Sequence, residues 1–438
     1  MVMTAAELAA RAAAGVLADL AGGHRGLVVD SPPGAGKSDL VVRAAVTIAN
    51  AGEPVMVIAQ TNEQVDDLVD RMASADPGLR IGRLSAQEYV PSPRIARHPG
   101  VRVSARPADL AGSPVTAGTA AKWATLTDGS WPWAIVDEAY QMRSDLLLRI
   151  AGRFERALFV GDPGQLDPFC TIDIDRWTGL TWDPMQSAVA VLLAHNPDVP
   201  VRRLPVSWRL PHSAVPVVAG AFYPFGGFVA GTQAGQRRLT LATRALSPSP
   251  VDAALETACA AGWALYELPV RHSVRTDAEV ASACAALAAR LTERGGIAYS
   301  ERAQAGAPVG AARIAIGTAH RDQAQAVRTA LGPGLAGITV DTANRLQGRE
   351  FDVVIAWHPL SGRRDATAFH LEAGRLCVLT SRHRHACIVV ARAGIPELLD
   401  AHPSTEPVHL NVPAKFPDGW EANQSVLAQL AQFRVRAR

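Results

Sequence analysis

Long apolar runs are missing from this chain of 438 residues, although 48% of its residues are hydrophobic. No run reaches the ~18 residues that a membrane-spanning helix needs, so the sequence predicts no membrane partner. The alanine-rich N-terminus carries Glu7, Arg11 and Asp19 within its apolar part and ends at Gly22-Gly23. This pattern predicts an amphipathic helix and not a signal peptide, and we therefore expect a cytoplasmic protein.

Cysteine pairs and lysines are also scarce. The five cysteines form no CxxC pair, which predicts buried, reduced thiols and no cysteine metal site. The net charge of +2 neither supports nor excludes a nucleic-acid partner. Only three of the 43 basic residues are lysines, namely Lys37, Lys122 and Lys415. Because arginine is the usual cation of this chain, a retained lysine is more informative than an arginine.

The length and the order of apolar segments predict two domains. A chain of 438 residues is too long for one ordinary core, and two domains of roughly 200 residues are the natural expectation. Short apolar runs alternate with helical patterns, which indicates an α/β fold with a doubly wound parallel sheet in each half. We place the first domain at residues 1–203 and the second at 204–395. A Pro-rich tail with a short helix follows at 396–438.

A glycine-rich segment between an apolar strand and a helical pattern predicts a phosphate-binding loop. It reads Ser31-Pro-Pro-Gly-Ala-Gly-Lys-Ser38, and Ser31 stands where such loops usually begin with glycine. Backbone N–H groups of such a loop turn toward phosphates, the lysine contacts the β- and γ-phosphates, and the last hydroxyl binds Mg²⁺. The alternative is a plain glycine-rich turn, which the scarcity of lysine disfavours. The predicted nucleotide-binding residues are Pro33, Gly34, Ala35, Gly36, Lys37 and Ser38.

An acidic pair follows a second apolar strand. Trp133-Ala-Ile-Val136 runs directly into Asp137 and Glu138. The first carboxylate is suited to hold Mg²⁺ together with Ser38, and the second to polarise the water that attacks a phosphoryl group. Behind a phosphate-binding loop, this pair predicts nucleotide hydrolysis with Glu138 as the catalytic carboxylate.

Further segments, in this order and spacing, make residues 28–392 similar to superfamily 1 helicases, which have two tandem RecA-like domains. The resemblance implies ATP and Mg²⁺ as ligands, hydrolysis in the cleft between the domains, and movement along single-stranded nucleic acid. Gly161-Asp-Pro-Gly-Gln165 resembles the motif that places a glutamine, here Gln165, near the γ-phosphate. Ser207-Trp-Arg209 and Leu379-Thr-Ser-Arg382 resemble the motifs that supply arginines from the second domain. The resemblance thus implies catalytic roles for Arg209 and Arg382.

The same resemblance implies the remaining contacts. Gln347-Gly-Arg-Glu350 is similar to the motif whose glycine and glutamate, here Gly348 and Glu350, contact the nucleotide, and Trp208 is placed to stack on its base. The positions implied to contact the nucleic acid are Thr61, Asn62, Thr119, Thr318 and Thr342. The closest branch is that of the nonsense-mediated-decay helicases, whose members move 5′ to 3′. No glutamine precedes Gln60, so selection of ATP over GTP stays open.

Two functional alternatives share these motifs. The first is a nucleic-acid-dependent ATPase that translocates on a single strand of DNA or RNA. The second is a helicase-fold ATPase switch or assembly subunit that regulates a partner protein, and an accessory protein is compatible with either. The polar side chains at the implied strand contacts favour the motor. Only 18 residues separate His320 from Thr339, so we expect no large inserted subdomain there and weak unwinding of long duplexes.

Overall fold

The computed structural model describes residues 3–168, 177, 180, 183–184, 186–224, 226–402 and 418–437. The described residues form two compact units. Among the described residues, the first unit holds those up to 163 and those from 167 to 205, and the second holds 164–166, 206–402 and 418–437. Each unit contains a parallel sheet with helices on its faces, which confirms the predicted α/β class of two RecA-like folds.

The first unit is built on an eight-stranded parallel sheet in the order β4-β3-β5-β2-β6-β7-β1-β8. Its inner strands are short and apolar, and all five residues of the central β2 are buried. This burial is typical of strands covered by helices on both faces. The strands are β1 Gly26–Asp30, β2 Val55–Ala59, β3 Ile81–Leu84, β4 Val101–Ser104, β5 Val115–Thr119, β6 Trp131–Asp137, β7 Phe154–Gly161 and β8 Val201–Arg203.

Seven α-helices are described in the first unit: α1 precedes β1, and the other six lie between strands of the sheet. Apolar side chains from helices and strands form one core on each face of the sheet. The predicted N-terminal amphipathic helix is present, and the Thr4 and Glu7 side chains form a capping box at its start. The helices are α1 Ala5–Ala21, α2 Lys37–Asn50, α3 Asn62–Ala75, α4 Pro93–Ala96, α5 Ala120–Trp123, α6 Ser144–Ile150 and α7 Ala188–His195.

The second unit contains a six-stranded parallel sheet in the order β16-β15-β17-β18-β12-β19. A separate antiparallel sheet has the order β11-β13-β14, and β9 pairs with β10. The strands are β9 Val206–Ser207, β10 Val229–Ala230, β11 Arg238–Leu241, β12 Trp263–Leu268, β13 Gly296–Ser300, β14 Ala303–Pro308, β15 Ile314–Thr318, β16 Thr339–Thr342, β17 Phe351–Trp357, β18 His383–Arg392 and β19 Arg434–Arg436.

Helices again cover both faces of the six-stranded sheet, with one apolar core on each side. The described part of the predicted tail belongs to this unit, because α16 packs on α8 and β19 pairs with β12. The proline-rich residues 403–417 lie outside the described residues. The helices are α8 Val215–Phe222, α9 Pro250–Ala261, α10 Ala278–Glu293, α11 Arg321–Leu331, α12 Ala343–Leu346, α13 Ala368–Leu371, α14 Ala373–Thr380, α15 Ile395–Ala401 and α16 Gly419–Leu430.

The described residues contain no large inserted subdomain. The segment between His320 and Thr339 holds only α11 and a single 3₁₀ turn. Residues 91–107 contribute α4 and the edge strand β4, and Arg94 and Arg97 form ion pairs with aspartates of α3. No helix in the described ranges is both long and apolar enough to cross a bilayer.

Candidate functional site

The phosphate-binding loop lies between the carboxyl end of β1 and the first turn of α2. Gly34 and Gly36 have positive φ angles of 74° and 89°, a region that side chains with a Cβ atom rarely adopt. Gly36 precedes α2 without any side-chain capping hydrogen bond, so no side chain satisfies the first N–H groups of the helix. Uncapped N–H groups at the positive end of a 14-residue helix fit a phosphate group.

Lys37 lies among carboxylates at the edge of the first sheet. Its Nζ atom is 3.2 Å from Oε1 of Glu138 and 4.0 Å from Oδ2 of Asp162. These groups meet because β6, β7 and β1 are neighbours, so their carboxyl ends share one edge. The structure therefore brings Lys37 and Glu138 together at this edge. Asp162 was not recognised from the sequence, although its position directly after β7 placed it at this edge.

Asp137 is a buried carboxylate with an unsatisfied oxygen. Only 5% of the residue is exposed, and Oδ1 has no hydrogen-bond partner among the described residues. Burial and the neighbouring Glu138 carboxylate raise the pKa of Asp137 to about 7, and the Lys37 ammonium opposes them. A buried carboxylate oxygen without a hydrogen-bond partner among the described residues fits a cation, and oxygen ligands are those that Mg²⁺ prefers.

Glu138 has a strained backbone and two supporting neighbours. It is the only non-glycine residue with a positive φ in the described part of the chain, at 50°. The Gln141 side chain donates to Oε2 of Glu138 over 2.9 Å. Tyr140 donates its hydroxyl to Oδ1 of Asp30 over 2.6 Å, which ties the acidic turn to the end of β1. Sequence reasoning missed the roles of Tyr140 and Gln141, whose only signal is their position next to the acidic pair.

A second charged cluster lies within the second unit. Glu350 accepts from Nε of Arg209 over 3.4 Å and from Nη1 of Arg384 over 2.8 Å. Burial raises the pKa of Glu350, but the charges of Arg209 and Arg384 outweigh burial and lower it. The carboxylate is therefore ionised and shared between two guanidinium groups.

Arg382, the arginine that the resemblance implies for the phosphate, lies in surroundings different from those of Arg384. Arg382 is 1% exposed, and its Nη2 atom donates to the Ser381 hydroxyl over 2.9 Å. Arg384, two residues further on, is the arginine that lies beside Arg209 and Glu350.

Gln165 and Trp208 are both placed in the second unit. The Gln347 side chain donates to Oε1 of Gln165 over 3.2 Å, and Gln165 is 3% exposed. The backbone of Gln165 approaches Gly374 so closely that a Cβ atom there would lie 2.4 Å from its carbonyl oxygen. Trp208 is 39% exposed, which leaves part of the indole accessible. Gly348 has a positive φ angle of 77°.

Most of the residues implied to contact nucleic acid also hold turns within their own unit. Thr61 and Thr119 are the N-caps of α3 and α5, and their hydroxyls accept from Gln64 and Lys122 backbone N–H groups. Asn62 accepts from Nη2 of Arg83 over 2.9 Å. Thr61, Asn62 and Thr119 thus lie at the carboxyl ends of β2 and β5, which are adjacent strands of the sheet.

Thr318 and Thr342, the residues of the second unit that are implied to contact nucleic acid, differ in exposure and in hydrogen bonding. Thr318 is fully buried, and its hydroxyl donates to the His320 carbonyl over 3.0 Å. Thr318 thus ends an inner strand with its side chain enclosed, and its contact with a bound strand stays a prediction. Thr342 is 8% exposed and precedes α12 without a side-chain capping bond.

Comparisons with known proteins add independent information. Two family models, both described as AAA domains, match residues 10–170 and 267–394. A search of curated proteins found no match.

The chain is also similar to solved viral helicases. The arterivirus nonstructural protein 10 helicase has a TM-score of 0.45 and 16% identity over 87% of this chain and 61% of that chain. Its complex with DNA has a TM-score of 0.44 and 16% identity over 87% and 62%. The PRRSV helicase has a TM-score of 0.44 and 15% identity over 87% and 54%. The chain thus spans less than two thirds of the length of each of these proteins.

The family follows from the motifs together with the two family models. The first model covers the phosphate-binding loop and the acidic pair, and the second covers Glu350 and Arg384. Each match lies on one of the two parallel sheets. Together, the motifs and the two AAA-domain matches support a superfamily 1 P-loop helicase.

Proposed function

We propose that this protein hydrolyses ATP and uses the energy to translocate along single-stranded nucleic acid. The observation that carries the proposal is the convergence of Lys37, Asp137, Glu138 and Asp162 beside the uncapped start of α2. A lysine and an acidic pair at one sheet edge, behind a glycine loop, fit a triphosphate and its metal ion.

Each residue of this site has a distinct task in hydrolysis. Lys37 and the first N–H groups of α2 bind the phosphate oxygens. Ser38 and Asp137 would hold Mg²⁺, whose positive charge would offset that of the phosphate oxygens. When phosphate oxygens take over the Lys37 ammonium, Glu138 becomes available to orient water and accept its proton, while Gln141 holds the second carboxylate oxygen.

Two arginines of the second unit complete the proposal. We assign Arg209 and Arg384 to the γ-phosphate of the same nucleotide, since a guanidinium keeps its charge at every working pH. Glu350 pairs with both arginines, and a triphosphate would compete with that carboxylate for them. Binding by residues of both units would couple nucleotide turnover to movement of the units.

The track for the motor is proposed at the carboxyl ends of the strands. Thr61, Asn62 and Thr119 follow the adjacent strands β2 and β5, and Thr342 ends β16. Backbone and side-chain groups at such ends suit the phosphates of a single strand. The family resemblance supports 5′ to 3′ movement, and the absence of an inserted subdomain among the described residues supports weak unwinding.

One observation favours the alternative, an ATPase switch that regulates a partner protein. Thr61 and Thr119 are engaged as helix caps and Thr318 is buried, so fewer side chains are presented to a strand than expected. ATPase assays without polymer and with single-stranded DNA, single-stranded RNA or duplex separate the two functions. The motor predicts strong stimulation by a single strand. Equal rates in all four samples would favour the switch.

A further inference from the structure

A chain of five alternating charges runs through the second unit, and we call it the arginine–glutamate chain. Its members, in order of contact, are Arg209, Glu350, Arg384, Glu301 and Arg237. Arg384 uses Nη1 for Glu350 at 2.8 Å and Nη2 for Glu301 at 3.4 Å. Arg237 closes the chain with Nη2 2.6 Å from Oε1 of Glu301. Arg384 is therefore held between two carboxylates.

Arg237, the last member of the arginine–glutamate chain, also contacts the backbone of the first member, Arg209. Arg237 donates through Nη2 to the Trp208 carbonyl over 2.8 Å and through Nη1 to the Arg209 carbonyl. The Arg237 side chain is only 2% exposed, so these bonds form away from bulk water. Arg237 thus fixes the backbone from which the Arg209 side chain projects.

Glu301 is the carboxylate that pairs with both Arg384 and Arg237. It lies in the turn between β13 and β14, and it contacts Arg384 directly and Arg209 through Arg237. The hydrogen bond from Arg237 lowers the pKa of Glu301 to about 2, so its negative charge persists at working pH. Glu350 is the more exposed carboxylate of the two, with 42% of its side chain accessible against 30% for Glu301.

We propose that Glu301 is a positioning residue for phosphoryl transfer, which orients Arg384 directly and Arg209 through Arg237. The inference rests on the proposed function of the two arginines. If a triphosphate draws Arg209 and Arg384 away from Glu350, Glu301 remains as the carboxylate that limits the directions Arg384 can take. Fixed orientation matters because a displacement of about 1 Å costs about 100-fold in rate.

The test compares Glu301→Gln with Glu293→Gln. Glu293 belongs to the same unit, and its pairing with Arg290 is a surface contact with 68% of the glutamate side chain exposed. We expect Glu301→Gln to lower kcat about 10- to 100-fold with an almost unchanged KM for ATP, because orientation acts in the transition state. Glu301→Asp should recover part of the loss. A kcat equal to that of Glu293→Gln in a folded protein would overturn the proposal.

A double-mutant cycle separates positioning from general damage. In the Arg384→Ala background, Glu301→Gln should cost much less than in the native background, since the contact it removes is already lost. Full additivity, or a Glu301→Gln Tm so low that the rate loss follows unfolding, would also overturn the proposal. If Arg209→Ala and Arg384→Ala retain native turnover, the proposed function of these arginines fails instead, whatever Glu301→Gln does.

Discussion

The Lys37 ammonium lies 3.2 Å from Oε1 of Glu138, so the lysine pairs with the glutamate that we assign to water activation. The two side chains are 12% and 10% exposed, which makes the pair far less screened than a surface ion pair. Binding of a triphosphate would replace this carboxylate with phosphate oxygens. Glu138 would then become available for chemistry only when phosphate is present.

Lys37→Ala is expected to abolish ATP turnover. No other lysine or arginine lies within the loop from Ser31 to Ser38, so the phosphate contact has no replacement. Steady-state ATPase measurements without polymer test this, with Lys122→Ala as the matched control for losing a lysine. Substantial turnover in Lys37→Ala would remove the nucleotide assignment of this loop.

Glu138→Gln should bind ATP and Mg²⁺ but hydrolyse ATP about 10²- to 10⁴-fold more slowly, as for the loss of a general base. Asp137 remains to hold the metal ion, and glutamine can still accept from Gln141. Calorimetric titration with ATP and a single-turnover assay measure the two steps separately. Native hydrolysis rates in this variant would show that another group orients the water.

Arg209→Ala and Arg384→Ala should each lower kcat by about 10³-fold, the low end of the effect of an arginine finger. Arg382→Ala should act differently, because this side chain is enclosed and packs inside its unit. We expect a lower Tm for Arg382→Ala and, in the fraction that remains folded, a smaller loss of kcat than in Arg384→Ala. The reverse order of the two kcat losses would restore Arg382 as the phosphate-binding residue.

Features encoded by neighbouring residues were predictable from the sequence. The glycine loop, Lys37 and the acidic pair each follow an apolar strand directly, so their shared sheet edge follows from the parallel arrangement. The sequence could not distinguish the surroundings of Arg382 from those of Arg384, because both are arginines near the start of β18. Only the fold shows that the turn after α14 encloses the first of them.

Long-range contacts carried no local signal. Arg237 and Glu301 are 64 positions apart and meet because β11 pairs with β13, with Arg238 opposite Tyr299. The burial of Thr318 was not predictable, because the sequence shows that this threonine ends a strand but not that the strand is an inner one. Its position between β16 and β17 explains the burial.

Stability of the second unit should depend on the buried carboxylate of Asp252. Burial alone would raise its pKa, but hydrogen bonds from Arg290 and Ser249 outweigh burial and lower it to about 2. A folded-state pKa below the unfolded value of about 3.9 stabilises the protein above pH 4, and the benefit is lost as the pH falls toward 2.

Asp252→Asn should therefore lower the free energy of unfolding at pH 7 by about 3 kcal/mol, since it leaves the 4% exposed Arg294 side chain without this partner. Urea unfolding of the native protein and the variant at pH 7 and pH 3 measures the difference. The difference in the free energy of unfolding between the native protein and the variant should be smaller at pH 3 than at pH 7. A difference that is equal at both pH values would show that the Asp252 charge contributes nothing.

Translocation along a single strand is the central claim, and displacement of streptavidin from biotinylated oligonucleotides tests it most directly. With ATP, the account predicts faster release from the 3′ end than from the 5′ end, and loss of this release in Lys37→Ala. Release from the 5′ end alone would contradict the direction. No release from either end, with ATP turnover that single strands do not change, would contradict the motor itself.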